Sequence, residues 1–473
     1  MQLLFFKRGL VFQSKENKKF IFTQYQFPKL GQMRMNGMPS LSEYFFTDAP
    51  KDYSSVFKKI DDDKSYNFNR IKSIQKIREL FVNNIDELNK HPFFEDCTTE
   101  KRLWDYCVSS MVLTAFDCYM HESNDANGTS FDEIAFKKIV MQLFNRFFLD
   151  DLPISICVPI LMVRFKEDSI EVSDNIKIRK MTDRELISAY KIGAYSDTQE
   201  LSVVTCATHI LELSNYKIHN SSFFSWFPLE HKEAYPIHII DKWFAAFRII
   251  THIQSGYGQV LAFPDDWGVR NGNLLSIFGD KIKNFNFEFI TQAKWNDPTP
   301  LLSKENLESV NRLFEFFLNT PNNSLNIAIK RLNRAYTRES EEDAILDLVI
   351  AIEALLTDND HGEITYKVST RAAWVLSELP MYPYTLIETK RIIAKLYAFR
   401  SNIVHGATQI DKSRIIKIRD GIDKESIPLA IEILQYLILA ISHNPRLLNT
   451  KELDAYFLDN YAALLRVKSV DYV

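Results

Sequence analysis

From Ser303 to the end of the chain, apolar residues recur at three- and four-residue steps, interrupted only by short segments rich in Pro, Gly, Asn and Asp. Such a pattern buries its apolar stripes only when helices pack side by side. Helices are expected near Ser303–Leu318, Ser324–Tyr336, Glu341–Leu356, Glu363–Leu379, Tyr384–Val404, Lys424–Ser442 and Lys451–Val467. In the third, Ile345, Leu348, Val349, Ile352, Leu355 and Leu356 keep the 3.6-residue period of bundle packing. The breaks PNNS, TDNDHGE, PMYP and SHNP carry the residues that stop helices. Residues 303–473 therefore read as an all-α domain.

The residues before it are mixed. Residues 1–150 open with short β-like runs, Leu3–Phe12 and Lys19–Phe27, and turn helical from about Asn67. There Ile71, Ile74, Ile77, Leu80 and Phe81 form one apolar face, and helical runs follow at Thr99–His121 and Phe131–Phe148. Leu149–Pro153 is the expected boundary. Residues 151–302 then carry strand signals: the apolar run Ile154–Phe165 and the alternating stretch Ile170–Ile178 around Asn175, which read as two paired strands, and Leu201–Leu213. Thr182 with Glu185 three residues on reads as a capping box, Tyr235–Gln254 as a helix, and Ser255–Asn273 as loop. The fold class is α+β, mainly α. A mixed α/β N-terminal region is followed by a helical bundle, with 151–302 as a separate α+β domain.

Composition excludes several classes. With 473 residues, 46% hydrophobic and a net charge of −4, the chain is neither a disordered tail nor a wholly basic nucleic-acid coat. No run reaches the eighteen or so apolar residues of a membrane span, and Leu429–Ile441, interrupted by Glu432 and Gln435, reads as a buried helix. Five cysteines, odd in number, read as reduced core thiols of a cytoplasmic protein. The N-terminus lacks the cleavage site of a signal peptide, so the Asn-x-Ser/Thr triplets at Asn127, Asn220 and Asn322 read as chance.

Chemistry concentrates in Tyr397–Gly406, YAFRSNIVHG, where Arg400 and His405 flank a helix end that Gly406 can close. Five residues on an ideal helix turn about 500°, leaving these side chains about 140° apart and offset by about 7.5 Å. Either the helix breaks near His405, or a second copy of the chain completes the site. Between Lys390 and Arg419 stand eight Lys or Arg residues, among them Lys390, Arg391 and Lys395, and one acid, Asp411. That strip, with Tyr397, suits a phosphate backbone, while Lys412–Arg419 reads as an exposed connecting segment.

Other candidates are weaker. Cys206 and His209 have a metal-like spacing but no second pair, so no metal is expected. Gly256-Tyr257-Gly258 lacks the third glycine of a dinucleotide loop, and no Gly-Lys-Ser/Thr loop exists, so no cofactor is expected. The FFSWF segment at 223–227 reads as core or interdomain packing, and His361 as a loop residue.

The run from Ala344 to Leu376, followed by IAKLYAFRSNIVHG, resembles the HEPN family, in particular its Apea-like branch. The residues that carry the likeness are Asp347 and Glu353 in one helix, Ile364, Thr365, Lys367 and Arg371 opening the next, and Tyr397, Arg400, Ser401, His405 and Gly406. It spans roughly 320–445, about a quarter of the chain. The resemblance implies a HEPN-type helical bundle that forms a homodimer, whose paired Arg-x4-His motifs build one metal-independent RNA-cleaving site. It implies Arg400 and His405 as catalytic residues and RNA, tRNA included, as the substrate. It also implies a setting in prokaryotic anti-phage defence by abortive infection, with 151–302 as the sensor or regulatory domain and a phage-derived trigger or an antitoxin acting on the N-terminal region.

The chemistry suits these residues. RNA carries its own nucleophile, the 2′-OH. A histidine can take that proton or protonate the leaving 5′-oxygen. An arginine stays charged and holds two phosphate oxygens with its planar fork. Ser401 and Asn402 are expected to orient the phosphate or His405, and Glu353 to orient Arg400 or His405. A salt bridge from Glu353 to Arg371 or Lys367 is the structural alternative. A non-catalytic bundle that dimerises or binds RNA or nucleotide, and a toxin neutralised by a separate antitoxin, are the rival functions.

Overall fold

The computed structural model describes residues 72–84, 131–182, 207–222, 224–268, 276–284, 300–357, 363–405 and 413–459, with single positions at 86, 115, 118, 119, 185, 186 and 189. The expectations for Leu3–Phe12, Lys19–Phe27, most of Thr99–His121, Cys206, His361 and Gly406 fall outside these residues. The chain is α+β with helix predominating. It divides into two compact units, one holding residues up to Tyr235 with Tyr257–Ile282, the other Pro236–Gly256 with the chain from Pro300 onward.

In the first unit, helix α1 (Lys72–Asn83) forms within the early helical stretch, with Leu80 of the expected apolar face exposed, while Ile71 and the side chains of Ile74, Ile77 and Phe81 lie outside the described residues. Helix α2 (Glu133–Phe148) begins where the Asp132 carboxylate accepts from the N–H groups of Ile134 and Ala135, both at 3.0 Å. Six strands follow in one sheet: β1 (Asp151–Pro159), β2 (Ser169–Ser173), β3 (Ile176–Lys180), β4 (His209–His219), β5 (Tyr257–Pro264) and β6 (Phe278–Asn284), in the order β2-β3-β4-β1-β5-β6. The stretch Ile170–Ile178 does not pair with β1, whose neighbours are β4 and β5. It is itself two strands, β2 and β3, antiparallel with Ile170 opposite Ile178. Their alternation buries Ile170, Val172, Ile176 and Ile178 on one face. The apolar run at Ile154–Phe165 is not one strand. It ends at Pro159, and the chain turns through Met162, whose φ of 63° lies in the left-handed region. Cys157, Ile210 and Leu261 meet at the sheet's centre.

Charged residues in this unit close on one another. Arg179 donates through both terminal nitrogens to Glu185, at 2.6 and 2.9 Å, and through Nε to Glu212. The expected capping box is present: Thr182 N–H donates to Glu185 at 2.8 Å, and Glu185 N–H to the Thr182 hydroxyl at 3.3 Å. Burial lifts the Glu185 carboxyl, but Arg179 and Thr182 outweigh it and hold it below the ordinary glutamate value.

The second unit is helical: α3 (Ile237–Thr251), α4 (Lys304–Asn319), α5 (Asn323–Ala335), α6 (Glu341–Leu356), α7 (Ile364–Ser377), α8 (Leu386–Val404) and α9 (Ser426–His443), with a hairpin of β7 (Ile415–Arg419) and β8 (Ile422–Glu425) between α8 and α9. Six of the seven helices expected here therefore form within a few residues of their expected ends. The seventh, at Lys451–Val467, is described as helix only over residues 453–459. Helix α3 packs on α4 and α5, and so joins this unit rather than the sheet that precedes it in sequence. Helices α6 and α9 are the most enclosed. Among the described residues, α9 is the one helix long and apolar enough to cross a membrane, and its Leu429, Ile433, Leu434, Leu437 and Ile438 are buried in packing that includes α6 and α7.

The Lys412–Arg419 stretch is not simply a connecting segment. Ile416 and Ile418 are buried while Ile415, Lys417 and Arg419 are exposed, which is the alternation of β7. The hairpin turns at Asp420–Gly421, where Gly421 takes φ 80°, a conformation an L side chain resists.

Candidate active site

Helix α8 starts at a reciprocal cap. The Thr385 N–H donates to Glu388 at 2.9 Å, and the Glu388 N–H to the Thr385 hydroxyl at 3.3 Å. Thr389, Ile392, Ile393, Leu396, Tyr397 and Phe399 turn inward and anchor it. The helix runs regularly past Arg400 to Val404, and His405 is its C-cap, with φ −94° and ψ 7° and its N–H donating to Ser401 O at 3.0 Å. The backbone thus stays near-helical through the motif. Arg400 and His405 leave it on different sides, about 140° apart by helix geometry. His405 is exposed, Arg400 half-buried.

At the Arg400 side, α6 and α8 bring three polar groups together. Tyr397 is 8% exposed, and neither its buried hydroxyl nor the buried Nε of Arg400 has a hydrogen-bond partner. Burial and the neighbouring Glu353 carboxylate push the Tyr397 phenol well above its ordinary value, with Arg400 pulling the other way. Glu353 does not reach Arg371. That guanidinium is paired with Asp454 through two bonds of 2.9 Å and donates a third to Leu356 O at 2.8 Å. Asp347, buried to 1%, is held by Arg331 and by Arg338 Nε at 2.8 Å. The buried hydroxyl of Tyr397 lies inside the helix packing.

The other named residues have internal partners. Lys390 Nζ sits 4.1 Å from the centre of the Tyr366 ring. Arg391 donates to Ile418 O at 3.3 Å and Lys395 to Lys417 O at 3.1 Å, so both clip α8 to β7. Arg414 pairs with Glu341 at 3.0 Å, Lys417 with Asp420 at 3.2 Å and Arg419 with Glu388 at 3.8 Å. Asn402 donates to the Ser413 hydroxyl at 3.2 Å, tying the last turn of α8 to the start of the hairpin. Ser401 is half-buried one residue beyond Arg400. Among the described cations of the basic strip, Arg400 and Lys390 have no hydrogen-bond or ion-pair partner among the described residues, and of the two only Lys390 rests on an aromatic ring.

A cleft of about 630 Å³ lies in the same unit, walled in part by Tyr336, Phe399, Arg414, Glu341, His252 and Gln435. Gln435 donates to the Tyr336 hydroxyl at 2.9 Å and to Arg248 O at 3.2 Å, and its carbonyl faces His252 Nδ1 at 3.2 Å. Neither Arg400 nor His405 lines it. It was not legible in the sequence, because its walls come from α3, α5, α6, α8 and α9.

Elsewhere, His209 is buried against Thr208 and Glu167 O, and burial lowers its pKa. Among the described residues no three His, Cys, Asp or Glu side chains gather as a metal site. The aromatic segment is not core: Phe224 and Phe227 are 60% and 50% exposed, and Trp226 stacks on Phe278 with ring centres 5.4 Å apart.

No family model matches the chain, and neither a curated protein nor a solved structure does.

Proposed function

We propose that the chain is a metal-independent endoribonuclease whose reacting groups are Arg400 and His405, carried on a HEPN-like bundle. The observation that carries this reading is the state of Arg400. It is half-buried at a helix end, its Nε has no acceptor, and an exposed imidazole stands five residues away. A cation held in this way, bonded to no carboxylate, is suited to an incoming phosphate. The splay of Arg400 from His405 favours a site completed by the same pair from a second copy.

In the proposed reaction the 2′-oxygen attacks the adjacent phosphorus as a base removes its proton. The bond from phosphorus to the 5′-oxygen breaks, and an acid protonates that oxygen. His405 serves in one of these proton transfers. Arg400 stabilises the charge that builds on the phosphate oxygens. The products are a 2′,3′-cyclic phosphate and a 5′-hydroxyl. The remaining two thirds of the chain restrain the nuclease until a trigger or antitoxin acts on them, and the biological setting is anti-phage defence in the cytoplasm.

The test is chemical. An oligoribonucleotide carrying one 2′-deoxy position at the mapped cut is expected to resist cleavage at that bond alone, with cyclic-phosphate ends elsewhere. Cutting at the deoxy position would rule out 2′-OH attack.

A second reading has one observation in its favour: Lys390, Arg391 and Lys395 are engaged internally. In that reading the bundle dimerises or binds RNA without cutting it. RNA binding that survives with no cleavage under any trigger condition would select it.

A further inference from the structure

We propose that Tyr397 is a positioning residue that couples Glu353 to Arg400: its hydroxyl donates to the Glu353 carboxylate while its oxygen accepts from Arg400 Nε–H, aiming the terminal guanidinium nitrogens at a phosphate. This rests on the nuclease reading above.

Two buried polar atoms on one helix face lack partners, the Tyr397 hydroxyl and Arg400 Nε. Buried groups of this kind are nearly always bonded in proteins, and exceptions cluster where a site has still to close. The two are complementary. A phenol offers one donor and one acceptor, Arg Nε offers one donor, and the nearby carboxylate offers acceptors only. The chain Nε–H to phenol oxygen and phenol O–H to carboxylate satisfies both orphans with no further group. Burial and Glu353 keep the phenol protonated, so its donor is always present. Because the hydroxyl is buried, Tyr397 acts through Arg400 rather than on RNA. The Arg371 site nearby supplies the contrast, since its guanidinium is saturated by Asp454 and Leu356 O.

The experiment uses the full chain, a cleavable oligoribonucleotide and its 2′-O-methyl analogue. Tyr397→Phe removes only the hydroxyl. We expect kcat to fall about 10- to 100-fold, the scale of a misplaced catalytic group. KM and the Kd of the analogue should stay within about twofold of wild type. Arg400→Lys keeps a charge but has no Nε–H, so adding Tyr397→Phe to it should produce no further loss. Glu353→Gln, which still accepts from the phenol, should lose less than Glu353→Ala. These carboxylate variants also stand in if Tyr397→Phe fails to fold.

Wild-type kcat in Tyr397→Phe, a loss confined to KM, or full additivity with Arg400→Lys would overturn the relay while leaving the nuclease intact. Absence of cleavage by wild type, or cleavage indifferent to Arg400 and His405, would overturn the nuclease reading instead. In that case nitrogen-15 arginine spectra decide the relay. Protection of the Arg400 Nε–H on binding the analogue, lost in Tyr397→Phe, supports it. No protection, or no binding, overturns it.

Discussion

Arg371 and Arg400 sit on neighbouring helices of one bundle and have opposite surroundings. Arg371 is 4% exposed and has every arm accounted for, two on Asp454 and one on a main-chain carbonyl. Arg400 is more exposed yet has a buried Nε without an acceptor. Arg179 in the sheet unit repeats the Arg371 pattern, closed by Glu185 and Glu212. Arginines that hold a fold together are saturated, because a buried donor left unmet costs about 1–3 kcal/mol. An arginine left open is a place where stability has been given up, and chemistry is the usual reason.

The sharpest way to break this contrast is to remove each arginine in turn. Arg400→Ala should lower RNA cleavage by on the order of 10²–10³-fold while the free energy of unfolding by urea stays within about 0.5 kcal/mol of wild type. Arg371→Ala should do the reverse, destabilising by about 2–4 kcal/mol because Leu356 O loses its donor and a cavity opens. Cleavage should then fall only with the folded fraction. Equal stability losses in the two variants would erase the distinction.

Acid provides the next test, on the saturated cluster of the sheet unit. Glu185 has a folded pKa below its unfolded value. Its contribution is therefore complete above the ordinary glutamate value of about 4.3 and is lost as the pH falls below it towards the depressed folded value. Glu185→Gln should destabilise by about 1–2 kcal/mol at neutral pH and flatten the dependence on acid, read by urea unfolding across the range. An unchanged acid slope would remove Glu185 from the cluster's stability.

The smallest effect is expected at Lys390. If its cation–π contact with Tyr366 is its whole role, Lys390→Ala costs about 0.5–1 kcal/mol and leaves RNA affinity and its salt dependence alone. A lower salt slope of binding would return Lys390 to the RNA surface.

Much of the bundle was legible in the sequence, because helical periodicity and stop signals are local. The capping box of Thr182 with Glu185 was local too, whereas Ile170–Ile178 read as one strand and is two. Long-range partners were not legible. Nothing in the pattern of Tyr235–Gln254 says that it packs on α4 and α5, and Arg371 meets Asp454 across 83 positions. Two signals were present and outweighed by the charges around them. Asp420-Gly421 between the alternating runs IIKIR and IDKE marks a hairpin. Tyr397 follows the buried Ile393 by four residues, which puts it on the core-facing stripe. For the site, the motif was visible, but the orphaned atoms of Tyr397 and Arg400 depend on packing between α6 and α8.

The central claim is that Arg400 and His405 cut RNA without a metal, and the direct measurement is cleavage of total RNA and tRNA by the full chain in EDTA, wild type beside Arg400→Ala and His405→Ala. Wild type alone should cleave, leaving 2′,3′-cyclic phosphate ends. Cleavage that persists in His405→Ala would contradict it.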